Sequence, residues 1–237
     1  MNAYIKAGES KKAIGVFERM KKAGIKPNVV IYSTLMKARI EAGESEKAIG
    51  VFESMKEAGI KPDVVTYSTL MNARIEAGES EKAIGVFESM KEAGIKPNVV
   101  TYSTLMKARI EAGESKKAIG DFESMKEAGI KPTVVTHNTL MNARIEAGES
   151  EKAIGVFESM KEAGIEPDVV TYSTLMKARI EAGESKKAID DFQSMKEAGI
   201  EPDVATLNTL MNAYMKIGES GKADDVFESM SKKISWI

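Results

Sequence analysis

The sequence predicts an all-α fold: a helical-repeat solenoid (superhelix) built of helix–turn–helix units. Three observations carry this reading. The six prolines, Pro27, Pro62, Pro97, Pro132, Pro167 and Pro202, fall 35 residues apart, and the seven phenylalanines from Phe17 to Phe227 keep the same step. Within each step, apolar residues recur at three- and four-residue intervals, the mark of a helix with one buried face. A chain of 237 residues would ordinarily form one or two compact domains, but a repeat of about 20–50 residues marks a stacked array instead.

The unit that begins at Val29 differs from the next, beginning at Val64, at only three places: Ile31/Thr66, Lys37/Asn72 and Asp63/Asn98. In its first helix Tyr32, Leu35, Met36, Arg39 and Ile40 share one face. Gly43 follows as a C-terminal cap, since glycine takes the left-handed conformation without Cβ strain. Ser45 is expected to supply the N-cap oxygen of the second helix. That helix carries Ala48, Ile49, Phe52 and Met55 on one face and ends at Gly59, and Pro62 prevents its resumption. Charges at helical spacing, such as Glu44 with Lys47 and Glu53 with Lys56, read as a solvated side. Gly50 lies inside the second helix, at a cost of about 1 kcal/mol relative to alanine. Its return at Gly15, Gly85, Gly120 and Gly155 predicts close approach of another helix there, although Asp190 stands at the same place.

Neither helix can bury its apolar stripe alone, so neighbouring units must stack. The reading is one array over residues 1–237. A partial repeat covers 1–28, full repeats cover 29–63, 64–98, 99–133, 134–168 and 169–203, and a near-complete repeat with a C-terminal cap covers 204–237. The fifteen methionines fall at two places per unit plus Met215 and read as core filling. His137 stands where other units have Tyr67 or Tyr102 and reads as a packing substitution. Trp236 reads as a cover for an apolar end.

Composition excludes several functions. There is no cysteine, which removes disulfides, thiolate metal sites and thiol catalysis. Lys plus Arg number 34 and Asp plus Glu 36, a balance that leaves no room for a polybasic or acidic tail. No apolar run approaches membrane-spanning length, so no membrane partner is expected. The N-terminal MNAYIKAGES carries no targeting peptide. No phosphate loop, nucleophile–base pair or paired-carboxylate site stands apart from the array, so the sequence points to no enzyme, no cofactor and no metal.

The segment VVTYSTLMNARIEAGESEKAIGVFESMKEAGIKPN, residues Val64 to Asn98, closely resembles the pentatricopeptide repeat. The shared features are the VVTY–TL opening, the AG turn, the A-I–VF–M core and the GIKPD/N ending. The related tetratricopeptide pattern has a shorter period and expects a Trp–Leu–Gly–Tyr run, where this chain has YSTLMKARI. The resemblance extends over essentially the whole chain. It implies single-stranded RNA as partner, with one base per repeat read by two or three side chains. It also implies an organellar setting, chloroplast or mitochondrion.

In proteins this chain resembles, the readers are the fifth and the last residue of each unit. The corresponding pairs are Ser33 with Asp63, Ser68 with Asn98, Ser103 with Thr133, Asn138 with Asp168, and Ser173 with Asp203, while Asn208 starts a sixth. By the same resemblance, hydroxyl–Asp favours guanine, hydroxyl–Asn adenine and Asn–Asp uracil, giving 5′-G-A-N-U-G-pyrimidine-3′ with Thr133 left open. Val30, Val65, Val100, Val135 and Val170 are implied to wedge between bases, with Ala205 a weaker substitute. Phosphate contacts are assigned to Lys6, Lys37, Lys107, Lys177 and Lys216.

The same inner face carries Glu41, Glu76, Glu111, Glu146 and Glu181 at the thirteenth place, where related proteins typically have lysine. Five lysines against five glutamates form a neutral track, which supplies little of the counterion release that drives nucleic-acid affinity. Modest, salt-sensitive RNA binding is therefore expected. Two other readings fit the same residues. One is a structural scaffold, natural or designed, with little RNA affinity. The other is a peptide-binding or self-associating solenoid, in which the exposed second helix of the incomplete first unit allows end-to-end homodimers.

Overall fold

A computed structural model describes residues 1–234. Fourteen α-helices and no strand occur among them: α1 (Asn2–Lys6), α2 (Ser10–Lys22), α3 (Val29–Glu41), α4 (Ser45–Glu57), α5 (Val64–Glu76), α6 (Ser80–Glu92), α7 (Val99–Glu111), α8 (Ser115–Glu127), α9 (Val134–Glu146), α10 (Ser150–Glu162), α11 (Val169–Glu181), α12 (Ser185–Glu197), α13 (Val204–Lys216) and α14 (Ser220–Ile234). The expected helix–turn–helix repetition is present, and the helices form two compact units, residues 1–121 and 122–237. Trp236 lies outside the described residues.

In the first unit α3, α5 and α7 pack in a row, each joined to the next by an intervening helix, α4 or α6. In the second, α9, α11 and α13 form the equivalent row with α10 and α12 between them. The cores straddle repeat boundaries, as stacking requires. Met36, Ala48, Ile49 and Phe52 pack with Leu70 and Ala73 of the following repeat, and Met71, Ile75, Ala83 and Phe87 pack with Leu105 and Ala108. In the second unit Met176 and Ala188 meet Leu210 and Ala213. The second-helix phenylalanines from Phe17 to Phe157 each meet the next repeat's ring edge to face, as in Phe52–Tyr67 at 5.6 Å and Phe157–Tyr172 at 5.7 Å, whereas Phe192 precedes a repeat with Leu207 at that place. His137 fills that slot against Phe122 at 5.5 Å, with Nδ1 2.9 Å from the Thr133 carbonyl. It is a packing residue.

The turns follow from two glycines per unit. Gly43 has φ 71°, its N–H donates to Ile40 O and the Glu44 N–H to Arg39 O, a Schellman closure that satisfies the last carbonyls of α3. Gly59 closes α4 in the same way, with Ile60 N–H on Met55 O.

Two local expectations need correction. Ser45 does not cap α4: the N-cap is Glu44, whose side chain makes no cap bond, and Ser45 is already helical. The Schellman turn leaves one residue, Glu44, between Gly43 and the start of α4, so the cap place falls one position earlier. Glu44 instead pairs with Arg39 and, at 2.8 Å, with Lys47. Nor do Gly15, Gly50, Gly85, Gly120 and Gly155 mark close helix approach, since a Cβ at any of them meets nothing within 4 Å. The small residues at the helix contacts are the fully buried Ala38, Ala48, Ala73 and Ala83.

The Arg39–Glu44–Lys47 arrangement recurs in every full repeat, while the incomplete first repeat and the last have Tyr4 and Tyr214 at the arginine place. Bonds from Lys47, then from Arg39, hold the Glu44 carboxyl down to about 2 from its ordinary 4.5. Glu79, Glu114, Glu149 and Glu184 are lowered for the same reason. A carboxyl lowered on folding adds stability that is complete above its unfolded value and is lost as pH falls through the folded one. Burial raises Asp121 and Asp191 against the attraction of Arg109 and Arg179, so these two act in the opposite sense. With five such glutamates against two aspartates, thermal unfolding followed by circular dichroism should give a steady melting temperature from pH 7 to 5. It should then fall as pH drops from about 4.5 toward 2. A melting temperature that held level to pH 2 would contradict this assignment.

Candidate functional site

The polar residues expected to act in pairs lie at the starts of the first helices, and the N-caps explain why. Asp63 precedes α5 with extended backbone, and its Oδ1 accepts the Thr66 N–H at 2.9 Å and the Thr66 hydroxyl at 2.7 Å, while its own N–H reaches Thr66 Oγ1. Such a capping box satisfies helix-start donors in both directions. Asn98 caps α7 likewise: Oδ1 takes the Thr101 N–H at 3.0 Å and the Thr101 hydroxyl at 3.1 Å. Two donors converge on that atom, so the amide oxygen must point inward and Nδ2 outward. Asp168 and Asp203 cap α11 and α13 through Oδ1 on Thr171 and Thr206. The cap therefore consumes one polar atom and leaves an acceptor, Oδ2, in Asp63, Asp168 and Asp203, but a donor, Nδ2, in Asn98.

The fifth-place residues sit one turn into the preceding first helix. Ser33 and Ser68 are buried; their hydroxyls donate to Val29 O and Val64 O and lie 3.0 and 3.1 Å from Thr66 Oγ1 and Thr101 Oγ1. Ser173 lies 2.6 Å from Thr206 Oγ1. Asn138 is long enough to reach its partner directly. Its Nδ2 donates to Asp168 Oδ1 at 3.1 Å and its Oδ1 accepts from Thr171 at 2.8 Å. Burial pushes the Asp168 carboxyl up, but bonds from Thr171 N–H and hydroxyl, the Asn138 amide and the Val170 N–H outweigh it and hold it below its ordinary value.

Ser103 lies in the compact unit 1–121 and Thr133 in the compact unit that begins at Phe122. Ser103 bonds Val99 O at 2.8 Å. At exposed Thr133 the Thr136 hydroxyl donates to the Thr133 carbonyl rather than to a carboxylate or amide. Asn208 is exposed on α13.

Beside each cap stands an uncovered apolar side chain: Val30, Val65, Val100, Val135 and Val170 are each 48–59% exposed in the first helical turn. Lys6, Lys37, Lys107 and Lys216 are exposed, and Lys177 is partly so. Two of these cations already have partners across a repeat boundary, Lys107 with Glu76 at 3.3 Å and Lys177 with Glu146 at 3.2 Å. Glu41 takes the Ser10 hydroxyl at 2.8 Å. Arg39 and its counterparts face their own turn glutamates rather than this row, as expected from their register.

Sequence reasoning passed over the threonines at the third place. Their signal was a hydroxyl residue in every unit from Val64 onward, at a place where the first full unit has Ile31. Among the described residues no three His, Asp or Glu side chains cluster as a metal site, and no helix is long and apolar enough to cross a membrane.

A family model described as the pentatricopeptide repeat domain matches residues 29–75, 50–112, 86–146 and 190–234, and one described as the PPR repeat family matches 1–38 and 132–179. No curated protein sequence matches. Among solved structures, the chain is similar to the pentatricopeptide repeat protein PPR10 in complex with an 18-nt psaJ RNA element, with 28% identity, a TM-score of 0.66, and coverage of 98% of this chain and 32% of that one. It is also similar to PPR10 from maize, with 29% identity, a TM-score of 0.64, and coverage of 97% and 33%. A tetratricopeptide repeat protein from Parabacteroides merdae ATCC 43184 shares the fold at 16% identity, with a TM-score of 0.74 and coverage of 98% and 89%. The chain spans about a third of the length of the PPR10 structures it matches.

Proposed function

Because the chain belongs to the pentatricopeptide repeat family, we propose that it binds single-stranded RNA sequence-selectively, one base per repeat. Each base meets the fifth and last residues of one of the units 29–63, 64–98, 99–133, 134–168 and 169–203. The observation that carries this reading is the polarity the caps leave behind. An outward Asp oxygen accepts, which suits the ring N–H of guanine or uracil; an outward Asn amide donates, which suits the bare ring nitrogen of adenine or cytosine. A base edge is free for such contact only in a single strand. The exposed valines offer apolar faces on which bases pack. A relative at 28% identity that spans this chain is solved with RNA, which supports RNA as the ligand class.

The expected order is 5′-G-A-N-U-G-Y-3′, the third base being free because the Thr133 hydroxyl both donates and accepts. Binding rather than catalysis is the role. One observation favours the runner-up, a scaffold with little RNA affinity: Lys107 and Lys177 are already engaged by Glu76 and Glu146.

Asp168→Asn inverts the outward atom from acceptor to donor. Fluorescence anisotropy with four RNAs that differ only at the fourth base should show preference moving from uracil to cytosine by about tenfold, with the other positions unchanged. Asn138→Ser should move it toward guanine. Equal weakening at every position would count against one-base-per-repeat reading.

A further inference from the structure

We propose that the buried threonine at the third place of the following repeat, Thr66, Thr101, Thr171 or Thr206, is a positioning residue that ties the two base-reading side chains of each pair into one reader. The proposal rests on the base-reading function above and adds a residue that itself faces no base.

All four threonines are completely buried. A buried hydroxyl without partners is costly, and each of these lies within hydrogen-bond distance of both members of a pair. Thr66 Oγ1 is 2.7 Å from Asp63 Oδ1 and 3.0 Å from Ser33 Oγ. Thr101 Oγ1 is 3.1 Å from both Asn98 Oδ1 and Ser68 Oγ. Thr206 Oγ1 is 2.7 Å from Asp203 Oδ1 and 2.6 Å from Ser173 Oγ. Thr171 Oγ1 is 2.8 Å from both Asp168 Oδ1 and Asn138 Oδ1. Direct contact between pair members occurs for Asn138 and Asp168; in the three serine pairs the threonine supplies the link.

The link sets direction as well as distance. The Thr101 hydroxyl adds a second donor at Asn98 Oδ1, which turns Nδ2 outward. At the Asn138 pair, flipping the amide would put its oxygen against the Asp168 carboxylate and its NH₂ against the Thr171 proton. The Asp168 carboxylate and the Thr171 hydroxyl together therefore fix which edge of Asn138 is left for a base. Ile31 occupies the same place in the first full repeat while the Asn28 cap bond to its N–H persists at 3.0 Å. The site thus accepts a β-branched apolar residue, and the cap does not depend on the hydroxyl.

The test compares the full chain with Thr171→Val, which keeps the branch and the backbone cap bond, and with Thr171→Ser, which keeps the hydroxyl. The first readout is RNA affinity with each base at the fourth position and at the second as a control. The second is titration of the Asp168 carboxyl resonance in the free protein. In Thr171→Val, uracil preference at the fourth position should fall about tenfold, the second position should be unchanged, and the Asp168 titration should move up toward its ordinary value. Thr171→Ser should restore both. Uracil preference intact in Thr171→Val, or preference lost equally at both positions, overturns the positioning role and leaves base reading standing. An unsubstituted chain with no base preference overturns base reading itself, and the positioning role with it.

Discussion

Replacing Glu41, Glu76, Glu111, Glu146 and Glu181 together by lysine should raise affinity for 5′-GANUGY RNA by about a hundredfold or more at low salt. Each replacement changes the charge by two, so the net charge moves from −2 to +8. Each phosphate newly neutralised on a single strand steepens the log–log dependence of affinity on salt by about 0.7, and five would add roughly 3.5. Loss of Glu76 and Glu146 also releases Lys107 and Lys177. Exposed ion pairs of this kind contribute only about 0–1 kcal/mol, so the fold should survive the change. Base preference should not sharpen, because phosphate contacts carry no sequence information. A titration over several salt concentrations checks both parts; unchanged affinity and slope would show that RNA does not follow this face.

Alanine at Gly15, Gly50, Gly85, Gly120 and Gly155 should stabilise the protein by roughly 3–5 kcal/mol in all. Each glycine lies inside a helix, where it costs about 0.5–1 kcal/mol relative to alanine, and each added Cβ enters open space. The sites lie one per repeat, so the gains should accumulate. At about 2–4 °C per kcal/mol for a chain of this size, the melting temperature should rise by roughly 6–20 °C. Gly43→Ala is the contrast. It forces a Cβ into φ 71° and should lower the melting temperature. Thermal circular dichroism of both variants decides, and a fall in the five-alanine protein would mean that these glycines meet something the helix contacts do not show.

The two corrected expectations show where one-dimensional reasoning stops. The fold was legible because the proline and phenylalanine steps impose a period and the apolar spacing inside it is helical. A glycine inside a helix, by contrast, has the same appearance whether it faces a packed neighbour or water. Ser45 was misplaced because a Schellman turn on Gly43 shifts the cap by one residue onto Glu44, a change that propensity alone does not resolve.

At the candidate site, pairs separated by 30–33 residues, such as Asn138–Asp168 and Ser33–Thr66, lie beyond any local spacing rule. The same is true of Lys107–Glu76. Arg109 and Arg179 show another such dependence. Their Nε–H groups bond Asp121 and Asp191, whereas the buried Nε of Arg39, Arg74 and Arg144 has no partner, because valine stands at the matching place in those units. The exposure of the five valines and the direction of the Asn98 amide likewise depend on caps that only coordinates reveal.

Anisotropy of the unsubstituted chain at low salt, with 5′-GANUGY RNA and with a scrambled RNA of the same composition, tests the central claim most directly. Tighter binding to the ordered RNA by at least about tenfold, with both affinities falling steeply as salt rises, is the result that the paired readers and the neutral track predict. Equal affinity for the two RNAs would contradict modular base reading.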